Sequence, residues 1–392
     1  MDTDERYGET VFRSMDGEPG PSTVDIMRAV ADGERHRRRV WLAGSAGAAA
    51  VAVTILAVGW TAVVGVDRHG SVPAVAPATA QASGQAKIVC SVRQLGTPSG
   101  QGPKAIVSGA DPTGRYIVGR SYQGTKPSTV IWVDGQVHQA PMPGDDPTLR
   151  DITSTGAAVG VSFMGDKTAA WYYADGKYTR LAGGEAVANG INERRVIAGA
   201  VGKKPAIWRS PGEQPTMLAL PGPEWSGQAT AIDEDGTVVG EVSKQQGGVR
   251  VAAAWQPDGS FQRLPVPAAH GGPADDFTAM AIRDGWVSGW AAYDRGKQRT
   301  ISGPRWNLRT GAVDSRDGVF ESVNAQGWMV EITALVAGDE TVQLPALPGF
   351  QQEPHAHAYT LSDDGTTIAG QMSTLNGNVD VQPVPVVWTC KR

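Results

Sequence analysis

The chain has 392 residues, including 50 glycines and 26 prolines, with only 19% charged side chains and a formal net charge of −5. This composition suits many turns and short strands rather than long helices. The near balance of charge leaves no electrostatic footprint for nucleic acid, and the length exceeds what one small core serves.

Residues 1–39 are polar and of mixed charge, with Gly-Glu-Pro-Gly-Pro at 17–21, and read as a largely disordered cytoplasmic segment. Within it, Ser22 and Asp25 suit a helix start, and Val24, Met27 and Val30 share an apolar side of a short juxtamembrane helix that ends in the basic run Arg35–Arg39. Val40–Val66 then runs 27 residues without a charge. A spanning helix needs about 20 apolar residues, so this stretch is expected to cross a membrane once. Trp41 and Trp60 would lie about 28 Å apart at helical rise, one near each interface. The basic run before the helix places the N-terminus in the cytoplasm and the C-terminal part outside. A cleaved signal peptide is the rival reading, favoured by Ala76-Pro77-Ala78 and Ala80-Gln81-Ala82, although the apolar stretch is long for one. No lipobox cysteine follows. Residues 67–86, rich in Pro, Ala, Ser and Gly, read as a spacer.

From Lys87 a phrase repeats, most clearly at Gly227–Pro267, as short strands separated by Asp-Gly turns. A glycine that closes the second strand recurs as Gly119, Gly160, Gly199, Gly240, Gly289 and Gly370, and a third-strand tryptophan as Trp132, Trp171, Trp208, Trp255, Trp306 and Trp388. The double gap after Gly289 and Trp306 brackets a degraded unit at Glu321–Leu344, whose turn is Asn324–Gly327. Four strands per unit of about 40 residues predict a propeller, here all-β and seven-bladed over 87–392, preceded by the single transmembrane helix. The seventh unit supplies three strands and ends in Val386–Trp388, while an orphan strand, Lys87–Leu95, precedes the first unit. The ring is therefore expected to close by pairing the two termini. That places Cys90 beside Cys390 within disulfide reach in an oxidising compartment, the alternative being two unpaired thiols.

Connections between first and second strands, and between third and fourth, read as short turns. The other two kinds vary in length and emerge together on the opposite face, as in Arg120–Ser128, Trp290–Ser302, Pro221–Gly227 and Pro265–Phe277. Function on a rigid scaffold usually resides in such loops. Trp225, Asp275, Asp276, Phe350 and His355 are accordingly the candidate contacts of a partner-binding face. His355 and His357 would share one side of a strand, but no third ligand is fixed by spacing and Glu353 is only a candidate. The pair reads as a polar strand entry, and neither a metal nor a cofactor is expected. No nucleophile elbow, zincin helix, phosphate loop or dinucleotide fingerprint occurs. The Asp-Gly turns, Asp233–Gly236 and Asp363–Gly365 among them, read as turn chemistry, and the repeated tryptophan as blade packing.

The pattern A-x-x-I-n-x-x-G-x-v-v-G … A-x-x-W … d-G … L, seen at Ala229–Leu264 and more loosely at Ala188–Leu218, resembles the extracellular HAF-type repeat and WD40-like propeller proteins of high-GC Gram-positive bacteria. The His-Ala-Phe tripeptide itself is replaced by Ala253-Ala254-Trp255 or by Pro205–Trp208. The resemblance covers residues 87–392 and brings no catalytic residues with it. The sequence thus predicts a non-catalytic, membrane-anchored binding module for an extracytoplasmic protein or carbohydrate. A second reading is a single-pass signalling protein whose residues 1–39 hold a cytoplasmic regulator such as a sigma factor. A hydrolase or lyase on the propeller face is the third.

Overall fold

The computed structural model describes residues 87–244, 249–296, 298–350, 356–374 and 382–392. The expected juxtamembrane helix, transmembrane helix and spacer, together with Glu353 and His355, lie outside the described residues. Among those described, no helix is long and apolar enough to cross a membrane.

The described strands form seven four-stranded antiparallel sheets and one two-stranded hairpin, Ala268–Ala269 with Gly272–Pro273. The sheets follow the repeat and are numbered here as blades. Blade 1 spans Ala105–Gln139, blade 2 Asp145–Arg180, blade 3 Ala186–Met217 and blade 4 Trp225–Arg263. Blade 5 spans Asp276–Asp317 and blade 6 Phe320–Gln343. Blade 7 joins Ala356–Leu361, Thr367–Thr374 and Gln382–Lys391 to the N-terminal strand Val89–Gln94. Contacts between successive first strands run from blade 1 round to blade 7 and back to blade 1, so the ring is closed.

Each interface between blades has its own apolar layer instead of sharing one core. Between blades 4 and 5, Val239, Ala252, Ala254 and Leu264 pack on Phe277, Ile282, Val287 and Trp306. Between blades 6 and 7, Val330, Leu335 and Leu344 meet Ala358, Ile368, Met372 and Trp388. The repeated tryptophan is a bolt as well as a filler. The indole N–H groups of Trp208, Trp255, Trp306 and Trp388 donate to Ala182, Ala219, Pro265 and Pro345 at 2.7–2.8 Å, each acceptor directly following the fourth strand of the preceding blade. Trp132 does the same across the junction of the termini, donating to Gly96 at 2.7 Å. Trp171 departs from the rule and donates to Ser162 Oγ at 2.8 Å.

The repeated glycine has a steric cause. In every blade the first strand carries a β-bulge at an equivalent place, which leaves one residue there without a partner on the second strand; blade 2 has a second irregularity between Asp145 and Thr148. In blade 4 the pairing steps from Ala229↔Gly240 to Ala231↔Val239 and leaves out Thr230. A Cβ on Gly240 would stand 2.1 Å from the carbonyl oxygen of Gln228, and one on Gly199 would stand 2.0 Å from that of Val187. Blade 6 keeps the bulge but places Glu331 opposite Phe320, where the other blades have glycine, and Val336 opposite Met329 where tryptophan is expected.

Several stretches expected as long loops are continued ladders. Tyr116–Gln123 pairs with Lys126–Val133 down to a two-residue turn, and Trp286–Arg295 pairs with Gln298–Asn307 well beyond the body of the blade. Pairing satisfies backbone groups that an open loop would leave to water. First strands also begin earlier than expected, in blade 4 at Trp225.

The closing strand pairs with the chain's last strand in register, Cys90 opposite Cys390, and the two form a disulfide across 300 residues. Replacing both by serine should lower stability by about 5 kcal/mol in the chain-entropy model, measured by thermal or urea unfolding against the oxidised parent. Gly240→Ala should destabilise by about 3 kcal/mol, because the crowding atom is backbone and the two strands must separate; an unchanged urea midpoint would contradict the close approach.

Candidate functional site: the central channel

The bulges turn a local irregularity into a site. The residues at the seven equivalent bulges are Ser108, Arg150, Asn189, Thr230, Met280, Glu321 and Tyr359, one for each blade, and all line a cavity of about 220 Å³ on the propeller axis. Scaffold positions around them repeat; these do not.

Four of the seven stitch neighbouring blades together. Ser108 Oγ donates to the Leu149 carbonyl, Asn189 Nδ2 to that of Ala229 at 2.7 Å, and Thr230 Oγ1 to that of Ala279 at 2.9 Å. Arg150 Nη1 donates to Asn189 Oδ1 at 2.7 Å. Beside Arg150, the Asp151 carboxylate accepts the Ile152 N–H at 2.9 Å on one oxygen and the Ile191 N–H of blade 3 at 2.8 Å on the other. Burial pushes the Asp151 carboxyl up to about 7, against the two amides and Arg283, which pull it down. The Arg150 guanidinium is open to the channel yet ringed by protein, and that desolvation lowers its pKa.

The sector of blades 5 to 7 differs. Met280 and the Tyr359 hydroxyl make no hydrogen bond among the described residues. Tyr359 stacks on His357, ring centroids 4.1 Å apart and planes at 4°. His357 Nε2 stands 3.5 Å from Glu321 Oε1. Burial, with Glu321 adding to it, pushes the Tyr359 phenol up to about 12.

Below the bulge ring, the turns between first and second strands form a polar belt. Glu193 accepts the Ser154 N–H and hydroxyl, both at 2.7 Å, and Glu234 accepts the Glu193 N–H at 3.1 Å. Arg283 bridges Glu234 at 3.1 Å and Asp363 at 2.9 Å, reaching past blade 6, where Ala325 stands in the turn. Burial opposes the Arg283 charge, but Asp363 and Glu234 outweigh it and raise its pKa. The Asp363 N–H completes the path by donating to Pro112 at 2.8 Å. The Asp-Gly turns expected to be plain scaffold therefore frame one mouth of the channel. Two further cavities, about 580 Å³ beside Asp233 and Arg283 and about 400 Å³ between Arg194 and Pro257, lie on this same short-turn face.

The residues expected on the long-loop face are engaged within the protein. Trp225 is buried, a correction to its reading as an exposed loop aromatic. It belongs to the first strand of blade 4, with the Arg263 guanidinium 4.8 Å and the Lys244 ammonium 5.9 Å from its ring. Asp276 pairs with Arg250 at 2.8 Å and Arg299 at 3.5 Å. Asp275 accepts the Asp294 N–H and an Arg295 nitrogen, each at 2.8 Å, and these hold its pKa below the usual range. Phe350 is half-buried against the layer between blades 6 and 7. Among the described residues, no hydrogen bond or ring contact joins Trp225 or Phe350 to the aspartates. No group of three or more metal-ligating side chains occurs among the described residues.

No family model matches the chain, and no curated protein matches it. Among solved structures, it is similar to the mitotic checkpoint complex, with 9% identity over 76% of this chain and 93% of that one, at a TM-score of 0.44. The polysaccharide lyase Uly1 has 8% identity over 75% and 90%, at 0.44. The WD40 domain of coronin from Toxoplasma gondii has 11% identity over 77% and 86%, at 0.43. The propeller itself rests on the strand pairing described above.

Asp151 yields a pH prediction. Its carboxyl sits near 7 in the fold and at about 3.9 when unfolded, so between these values the folded state binds the extra proton and loses stability as pH rises. From pH 5 to 8 the stability of Asp151→Asn should gain about 3 kcal/mol relative to the parent, followed by urea unfolding at each pH. A constant difference would show that this carboxyl does not titrate there.

Proposed function

We propose that this chain is an extracytoplasmic propeller, held at the membrane by residues 40–66, that binds a ligand in its central channel without transforming it. The observation that carries the reading is the bulge ring: seven equivalent positions bear seven different side chains, all turned to one cavity. Packing explains repetition, and it does not require this divergence. Asp151, whose carboxyl burial pushes up to about 7, has each oxygen on a backbone amide and so serves to join blades 2 and 3.

Display outside the cell follows from the basic run before residues 40–66 and agrees with a disulfide, which persists in oxidising compartments. The repeat pattern also supports a place among HAF-type propeller proteins. Epitopes at the two termini test the topology in spheroplasts. The C-terminal epitope should be reached by antibody directly, and the N-terminal one only after permeabilisation. The reverse pattern would overturn the proposed orientation.

A further inference from the structure

Resting on the channel as the binding site, we infer that its ligand is a small zwitterion of the α-amino-acid class, its anionic end on Arg150 and its cationic end on Glu321 and Tyr359.

Two of the seven bulge residues carry a full charge, and they have opposite signs. Arg150 is on blade 2 and Glu321 on blade 6, with blades 7 and 1 between them on one side and blades 3 to 5 on the other. In a closed ring of seven they face each other across the axis. They are not a salt bridge: Arg150 donates only to the neutral Asn189 among the described residues, and the ion-pair partner of Glu321 is the His357 imidazole. The remaining guanidinium nitrogens of Arg150 have no protein acceptor among the described residues. A guanidinium partly stripped of water and lacking a carboxylate favours an anion, which it can hold by two parallel hydrogen bonds. Across the channel, the Glu321 carboxylate and the unpartnered Tyr359 hydroxyl offer acceptors to an ammonium group, and stacking on His357 fixes the tyrosine ring.

Size narrows the class. The cavity of about 220 Å³ falls below the roughly 300 Å³ at which pockets for drug-sized ligands begin. Met280, on the wall between the two charged sectors, adds a flexible apolar surface suited to side chains of different shape. A ligand with one charge would engage only one of the two groups. A neutral sugar would engage neither charge.

Isothermal titration of the full-length protein in detergent tests this with L-alanine, L-methionine and L-alanyl-L-alanine, against N-acetyl-L-methionine, L-methioninamide and glucose. The zwitterions should bind, and blocking either end should weaken binding at least tenfold. Arg150→Gln and Glu321→Gln, shown by circular dichroism and melting to keep the fold, should each weaken L-methionine at least tenfold. Loss of less than threefold on blocking an end, unchanged binding by both variants, or no heat from any zwitterion at millimolar concentration would overturn the inference. Heat from glucose alone, removed by Tyr359→Phe or Glu321→Gln, would overturn the ligand class and keep the channel as the site. No heat from any probe, with an extracellular protein partner bound equally by parent and ring variants, would overturn both.

Discussion

In six of the seven blades, the carbonyl just before the bulge lies so close to the second strand that a Cβ on the facing residue would stand 2.0–2.2 Å from its oxygen. In those six blades the contact admits glycine alone. Beside it the first strand carries one residue more than its partner can pair. The surplus residue, released from the ladder, is the one that reaches the axis. Gly119, Gly160, Gly199, Gly240, Gly289 and Gly370 each face the residue just before Ser108, Arg150, Asn189, Thr230, Met280 and Tyr359, although the glycines do not line the cavity.

Blade 6 shows how the ring tolerates the loss of both repeated residues. Its bulge persists with Glu331 in the glycine position, and Phe320 fills the inner position taken by alanine in blades 3, 4, 5 and 7. Blade 5 makes room for that ring at Gly303, where any side chain would collide with Phe320. Polar latches tie it to both neighbours. Arg305 of blade 5 donates to the Gly327 carbonyl at 2.6 Å, and Asn324 donates to the carbonyl of Asp363 in blade 7 at 3.2 Å. A weak repeat flanked by strong ones is held by its interfaces, as expected where stability is a sum of neighbour terms.

The architecture was legible because period, turn chemistry and the Gly and Trp positions recur, and because the orphan strand and the two cysteines make one closure. The site was not legible in the same way. Periodicity emphasises what repeats, and the functional candidates occupy the blank of A-x-x-I, the position that fails to repeat. Listing Ser108, Arg150, Asn189, Thr230, Met280, Glu321 and Tyr359 in register would have exposed them, but only the bulge explains why they face the axis and not a blade interface. Trp225 misled for a related reason. Its place among prolines and glycine reads as a loop, whereas pairing with Lys244 extends the strand and buries the indole. Asp276 likewise begins a strand, and its partner Arg250 comes from the preceding blade.

A ring of identical side chains would present the same chemistry in every direction and could orient nothing smaller than itself. Here the sectors have separated. In blades 1 to 4 the bulge residues direct their donors to the next blade, so that part of the wall is held by hydrogen bonds that span the interfaces. In blades 5 to 7 Met280, Glu321 and Tyr359 make no such hydrogen bonds among the described residues, and Glu321 stands 3.5 Å from the His357 imidazole of blade 7. Holding one arc rigid and leaving the facing arc uncommitted gives a repeated fold a direction across its axis. The belt through Glu193, Glu234, Arg283 and Asp363 gives it a second direction, along the axis, because it frames the short-turn mouth with linked charges. A site with both directions can hold an asymmetric molecule in one orientation, which sevenfold repetition by itself cannot do.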